Sequence, residues 1–169
     1  NNNNFFVGSN NTNSWSCNNI GIGYQALHCN GGCHNVSFGY LSMANNQSGC
    51  NNVAIGYQSL YANSIGAYNI ALGYQTLYNN TTGSYNTGLG SFALNSNTTA
   101  FYNTAVGWQA AYTNSTGNNT TAIGRQALYS TTVANNVAVG ASAAQLTTTG
   151  AEVVALGTSA LYSNTTGSY

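Results

Sequence analysis

Asn52-Val53-Ala54-Ile55-Gly56 and Asn69-Ile70-Ala71-Leu72-Gly73 are two copies of one phrase: an asparagine, a short apolar triplet with a small centre, and a glycine. The phrase recurs at Asn86-Thr87-Gly88-Leu89-Gly90, Asn103-Thr104-Ala105-Val106-Gly107 and Asn136-Val137-Ala138-Val139-Gly140. Looser copies close at Gly8, Gly23, Gly39, Gly124 and Gly157, and the closing glycines are mostly 17 residues apart, with three steps of 15 or 16. A fixed short period makes the chain a stack of similar units rather than a conventional globule. A unit this short cannot hold a helix-turn-helix repeat, which needs about 33 residues. It can hold two short strands and two turns.

The sequence therefore predicts an all-β parallel β-solenoid, or β-roll, of about ten coils with a repeat of 15–17 residues. Coils stack at the strand spacing of about 4.8 Å. The whole chain, 1–169, reads as a single repeat domain: degenerate first coils over 1–23, a cysteine-rich part over 17–50 and regular repeats over 51–169. Residues 9–18 read as polar coil. Stacking places like on like, so Asn52, Asn69, Asn86 and Asn103 form one ladder and Gly56, Gly73, Gly90 and Gly107 another. Asparagine amides can bond up and down such a column. The residues flanking the small centre share a face by the period-two rule. Val53 with Ile55, and Val137 with Val139, are read as core on that basis. The small residue between them is read as facing outward, where another backbone can approach. Leu27, Met43, Leu60, Leu77, Leu94, Leu128 and Leu161 supply a second apolar column.

Composition narrows the function. Arg125 and Glu152 are the only charged side chains apart from two histidines. A ladder of identical neighbours penalises lysine or glutamate, which explains the deficit. No basic patch exists to neutralise phosphates, so nucleic acid is excluded as a partner. No apolar run reaches membrane-spanning length, which excludes an integral helical membrane protein. The regular aliphatic positions argue against disorder despite the polar composition. Neither a signal peptide nor an initiator methionine is seen, so the chain reads as processed or as a piece of something longer. It stops where another coil would begin and carries no visible cap. That leads us to expect a longer array or end-to-end stacking.

The Asn-x-small-aliphatic-Gly boxes resemble the head repeats of trimeric autotransporter adhesins. With Tyr-Gln-small-Leu-Tyr, as at Tyr57–Tyr61 and Tyr74–Tyr78, and Asn-Thr-Thr-Gly, they also resemble repeat tracts of tailed-phage fibres. The resemblance implies a left-handed parallel roll and a homotrimer. The period here is longer than the usual adhesin repeat, and no stalk coiled coil or membrane anchor is seen.

Cys17, Cys33 and Cys50 each lie six residues before a box glycine and so share a column, with Cys29 four residues before Cys33. Adjacent coils fall within disulfide range and alternate coils do not. Two complete pairings follow: Cys17–Cys33 with Cys29–Cys50, or Cys33–Cys50 with Cys17–Cys29. Pairing implies an oxidising, extracellular setting. Cys29, Cys33 and His34 form a weaker alternative, a metal site, and the same run resembles a haem-attachment motif with one residue too many. Disulfides rank ahead of both, and no cofactor is expected.

Glu152 is the only carboxylate side chain, so the acid pair of a glycosidase is missing and no acid orients a nucleophilic Ser or Cys. The chain is read as non-enzymatic. Two aromatic columns stand out: Tyr24, Tyr40, Tyr57, Tyr74 and Trp108 just after the glycine, and Tyr61, Tyr78, Tyr112, Tyr129 and Tyr162 four residues further on. They read as packing between copies first and as a glycan-binding face second. Paired threonines such as Thr81-Thr82 and Thr98-Thr99 raise ice binding, though adjacent residues of a strand point opposite ways. Sequons at Asn79, Asn97, Asn114 and Asn164, and others including Asn10 and Asn119, are turn composition first and glycosylation acceptors second. The function expected is a structural and adhesive module of an extracellular fibre or filament: a surface adhesin, tail fibre or self-stacking filament. Its partners would be itself, as a homotrimer or end-to-end filament, and cell-surface glycan. Its location would be extracellular, on a cell or a virion surface. An ice- or glycan-binding solenoid is the alternative.

Overall fold

The computed structural model describes residues 3–8 and 18–167. Each coil contributes one three-residue strand, and ten such strands form one sheet in chain order. They are β1 (Phe5–Val7), β2 (Ile20–Ile22), β3 (Val36–Phe38), β4 (Val53–Ile55), β5 (Ile70–Leu72), β6 (Thr87–Leu89), β7 (Thr104–Val106), β8 (Thr121–Ile123), β9 (Val137–Val139) and β10 (Val154–Leu156). All neighbours are parallel and in repeat register, as Val53 opposite Ile70 and Ala54 opposite Ala71 show. The chain is thus a β-solenoid with a ten-strand sheet about 45 Å long at the usual strand spacing. There is one strand per coil rather than the two expected; turns and bends complete the circuit.

Three non-glycine residues in each regular coil hold left-handed backbone, for example Gln58 (φ 51°), Leu60 (φ 53°) and Tyr68 (φ 57°). Such a conformation costs roughly 1–2 kcal/mol for an L-residue. Its return here is direction, because each of these N–H groups leaves its own coil. Gln58 donates to Tyr40 O at 2.9 Å, Leu60 to Thr76 O at 2.9 Å and Tyr68 to Cys50 O at 3.1 Å. A right-handed run would fold those donors back into its own turn. The left-handed steps point them along the solenoid axis, so turns as well as strands are hydrogen-bonded coil to coil.

The box glycines stack as expected, and the stacking explains them. A Cβ on Gly56, whose φ is 134°, would lie 2.7 Å from the Gly73 carbonyl carbon. The next coil therefore excludes a side chain there.

The core corrects the sequence reading. In β2 to β10 the central small residue is buried and both flanking residues face out. Ala54 is fully buried, whereas Ile55 is 37% and Leu72 46% exposed. The lumen of so short a coil is narrow. A Cβ on Gly88 at that central position would already meet Thr76 Cγ2 at 2.6 Å. Small residues belong inside for lack of space, and the aliphatics are left on the outside. The leucine column is core as read: Leu27, Met43, Leu60, Leu77, Leu94 and Leu128 are fully buried, although Leu161 is exposed.

Polar ladders complete the core. At the box asparagines, Oδ1 accepts the backbone N–H of the next asparagine, as from Asn52 to Asn35 and from Asn69 to Asn52, both at 2.9 Å. Nδ2 returns to the asparagine's own coil, from Asn52 to Gly66 O at 2.9 Å and from Asn69 to Gly83 O at 2.9 Å. The amide-to-amide ladder anticipated for this column runs mainly in a second one. There Asn46, Asn63, Asn80 and Asn97 each donate Nδ2 to the preceding asparagine's Oδ1, at 2.6–2.8 Å.

Candidate functional site

With aliphatics outside, the sheet presents a largely apolar face. Its two columns lie about 6.6 Å apart, two strand residues. They carry Val53, Ile70, Thr87 and Thr104 on one side and Ile55, Leu72, Leu89 and Val106 on the other. No charged residue lies in the ten strands among the described residues. Ten rungs of side chains about 12–15 Å wide along about 45 Å make roughly 540–680 Å², near or just above the upper end of the roughly 300–600 Å² that the largest patch of a monomer covers.

The aromatic columns stack in part: among the described residues Trp108 and Tyr162 join no stacked pair, and Phe92 meets Tyr74 edge-on at 5.1 Å. Tyr24, Tyr40, Tyr57 and Tyr74 form a run with ring centroids 5.1–5.3 Å apart and planes within 16° of parallel. Tyr61 stacks on Tyr78 and Tyr112 on Tyr129 at 5.2 Å. A third column escaped the sequence reading: Tyr68, Tyr85 and Tyr102, at 4.9 and 5.2 Å. Its signal was legible, since Tyr68, Tyr85 and Tyr102 each stand one residue before a box asparagine. Tyr40, Tyr57 and Tyr85 have a stacked ring on both faces, while the end rings of each run keep one face free of a stacked ring. A sugar stacking on an aromatic needs a free ring face, which only the run ends provide.

The threonine pairs are partly spent on the fold. Thr81 Oγ1 donates to Thr98 O at 3.0 Å and Thr98 Oγ1 to Ser115 O at 3.1 Å. The first hydroxyl of these pairs is engaged by the next coil rather than offered to a ligand.

Cys29 and Cys50 carry free thiols, which removes Cys29–Cys50, Cys33–Cys50 and Cys17–Cys29, so neither complete pairing is present. Cys17, like the Asn10 sequon, lies outside the described residues. The column placement stands: the Cys33 N–H donates to Cys50 Sγ at 3.1 Å, as the Ala67 N–H donates to Ser84 Oγ at 3.0 Å. Cys50 thus does the hydrogen-bonding work of the serine in a sister coil. Cys29, Cys33 and His34 do not converge; among the described residues no three potential metal ligands do.

Of the sequon asparagines, Asn97 and Asn114 are buried, with Nδ2 bonded to Asn80 Oδ1 at 2.7 Å and to Gly117 O at 2.8 Å respectively. A glycan on either would displace the core ladder, so both are withdrawn as acceptors in the folded chain. Asn79 and Asn164 are half-buried, with Nδ2 bonded to Asn95 O at 3.1 Å and Gly167 O at 2.9 Å.

Fold and surface define a parallel β-solenoid repeat protein with a largely apolar sheet face, interrupted in one column by Thr87, Thr104 and Thr121. No protein-family model matches the chain, and no curated protein or solved structure matches it. Among the described residues no helix is long and apolar enough to cross a membrane.

Proposed function

We propose that this chain is a non-enzymatic structural and adhesive module of an extracellular fibre or filament, on a cell or virion surface, and that it associates with further copies of itself. The observation that carries this reading is the uncharged, outward-facing aliphatic sheet. A patch of this size costs solubility in an isolated chain. It approaches the roughly 800 Å² per partner of a standard protein interface. Identical copies meet there without charge repulsion, because neither sheet face bears a charge. The coil-to-coil bonding through strands and turns supports the mechanical part, since load along the axis is shared among many parallel bonds. The box resemblance to adhesin heads and phage fibres favours a trimer over an end-to-end filament.

Sedimentation equilibrium tests the association. The chain should sediment as an oligomer, and Ile55→Lys with Leu72→Lys should shift it to monomer while leaving its circular dichroism unchanged. A wild-type chain that remains monomeric at high micromolar concentration overturns the reading. Glycan binding stays secondary because free ring faces are confined to the ends of the tyrosine runs. Ice binding through threonine pairs is weakened by the hydroxyls already bonded to backbone.

A further inference from the structure

We propose that the exposed tyrosine runs are sites of oxidative modification, in which rings of adjacent coils are coupled into dityrosine. The inference rests on the aromatic geometry and is independent of whether copies associate.

Tyr68, Tyr85 and Tyr102 carry it best. Their rings stack at 4.9 and 5.2 Å with planes 3° and 17° from parallel. All three are about half exposed, at 51%, 48% and 60%, so a diffusing oxidant reaches them. A phenylalanine would stack as well; what tyrosine adds is a phenol that loses an electron and a proton. Backbone bonds fix the register of this column, with the Tyr68, Tyr85 and Tyr102 N–H groups donating to Cys50, Ala67 and Ser84 carbonyls at 3.0–3.2 Å. The rings are therefore held as neighbours, and proximity of this kind raises effective concentration far above that of dissolved phenols.

The chemistry balances with a peroxide oxidant acting through a haem peroxidase. Each phenol gives up one electron and one proton. The two phenoxyl radicals join at ring carbons ortho to oxygen, each of those carbons then passes its hydrogen as a proton back to its ring oxygen as the rings rearomatise and the hydroxyls are restored, and the two electrons and two protons first given up reduce one hydrogen peroxide to two waters. Side-chain rotation brings the ortho carbons together, since both rings are at the surface. The product is a covalent rung between coils otherwise joined in this column by hydrogen bonds.

The test oxidises the folded chain at low concentration with horseradish peroxidase and hydrogen peroxide. Expected are blue dityrosine fluorescence, a loss of two hydrogens per bridge at monomer mass, and peptide mapping to Tyr68–Tyr85 or Tyr85–Tyr102. Denaturant should cut the yield severalfold by separating the coils. Tyr85→Phe keeps the stack and should leave melting unchanged, yet it should abolish bridging in this column, because Tyr68 and Tyr102 are two coils apart, about 10 Å. Equal yield from unfolded chain, bridges found only between molecules, or a Tyr68–Tyr102 bridge in the variant each overturn the proposal.

Discussion

Replacing Asn63 by leucine separates a polar core from an apolar one. Leucine has nearly the shape of asparagine and is the more hydrophobic, so a core held by apolar burial would accept it or gain. In the structure Asn63 is fully buried and makes three side-chain bonds. Nδ2 donates to Asn46 Oδ1 at 2.7 Å and Gly66 O at 2.9 Å, and Oδ1 accepts from Asn80 Nδ2 at 2.8 Å. Each net bond contributes about 1 kcal/mol, and a stranded buried acceptor costs about 1–3 kcal/mol more. Asn46 Oδ1 is the group stranded, because Gly66 O keeps Asn52 Nδ2 and Asn80 Nδ2 keeps Gly83 O. The sum is about 4–6 kcal/mol. Leucine adds strain, since methyl groups need about 3.5–4.0 Å where the amide atoms sit closer. A repeat array need not unfold in one step, so the local readout is amide hydrogen exchange. Opening of the coils around residues 46–80 should become about a thousandfold to about twenty-thousandfold more frequent, at 1.4 kcal/mol per factor of ten. Asn63→Ala should behave similarly, whereas Asn79→Ala, which loses one half-buried bond, should cost only about 1 kcal/mol. A leucine variant as protected as wild type would refute the polar-ladder account.

Other outcomes follow from the same geometry. Gly56→Ala should prevent native stacking, because the added Cβ meets Gly73. Gly157→Ala, with open space around it, should cost only the backbone penalty of placing a side chain at a φ of 114°, about 1–3 kcal/mol, and thermal melting of the two ranks them. Leu60→Ala should destabilise by about 2–5 kcal/mol as a core cavity, while Ile55→Ser should leave the fold intact and weaken self-association, seen by denaturation and sedimentation together. Thr120→Asn should stabilise by about 1 kcal/mol, since it restores an acceptor for the Asn136 N–H that Asn35 provides for Asn52. Thiol labelling of native protein should modify Cys29 faster than Cys50, as the first is exposed and the second half-buried.

The sequence by itself determined the period, the parallel stacking and the columns of asparagine, glycine, leucine and tyrosine. A repeat of near-identical units that pair in register must place like over like, whatever the shape of the coil. Tertiary structure decided which face of Val53-Ala54-Ile55 is inside. Alternation shows that Val53 and Ile55 lie together, but only the width of the lumen, filled by Leu60 and the asparagine ladders, shows that Ala54 is the residue with room to enter. The left-handed turns at Gln58, Leu60 and Tyr68 were equally hidden, because their local propensity opposes that conformation and bonds to neighbouring coils select it. The candidate interface was missed for the same reason: it consists of the aliphatics that a sequence reading assigns to a core too narrow to hold them.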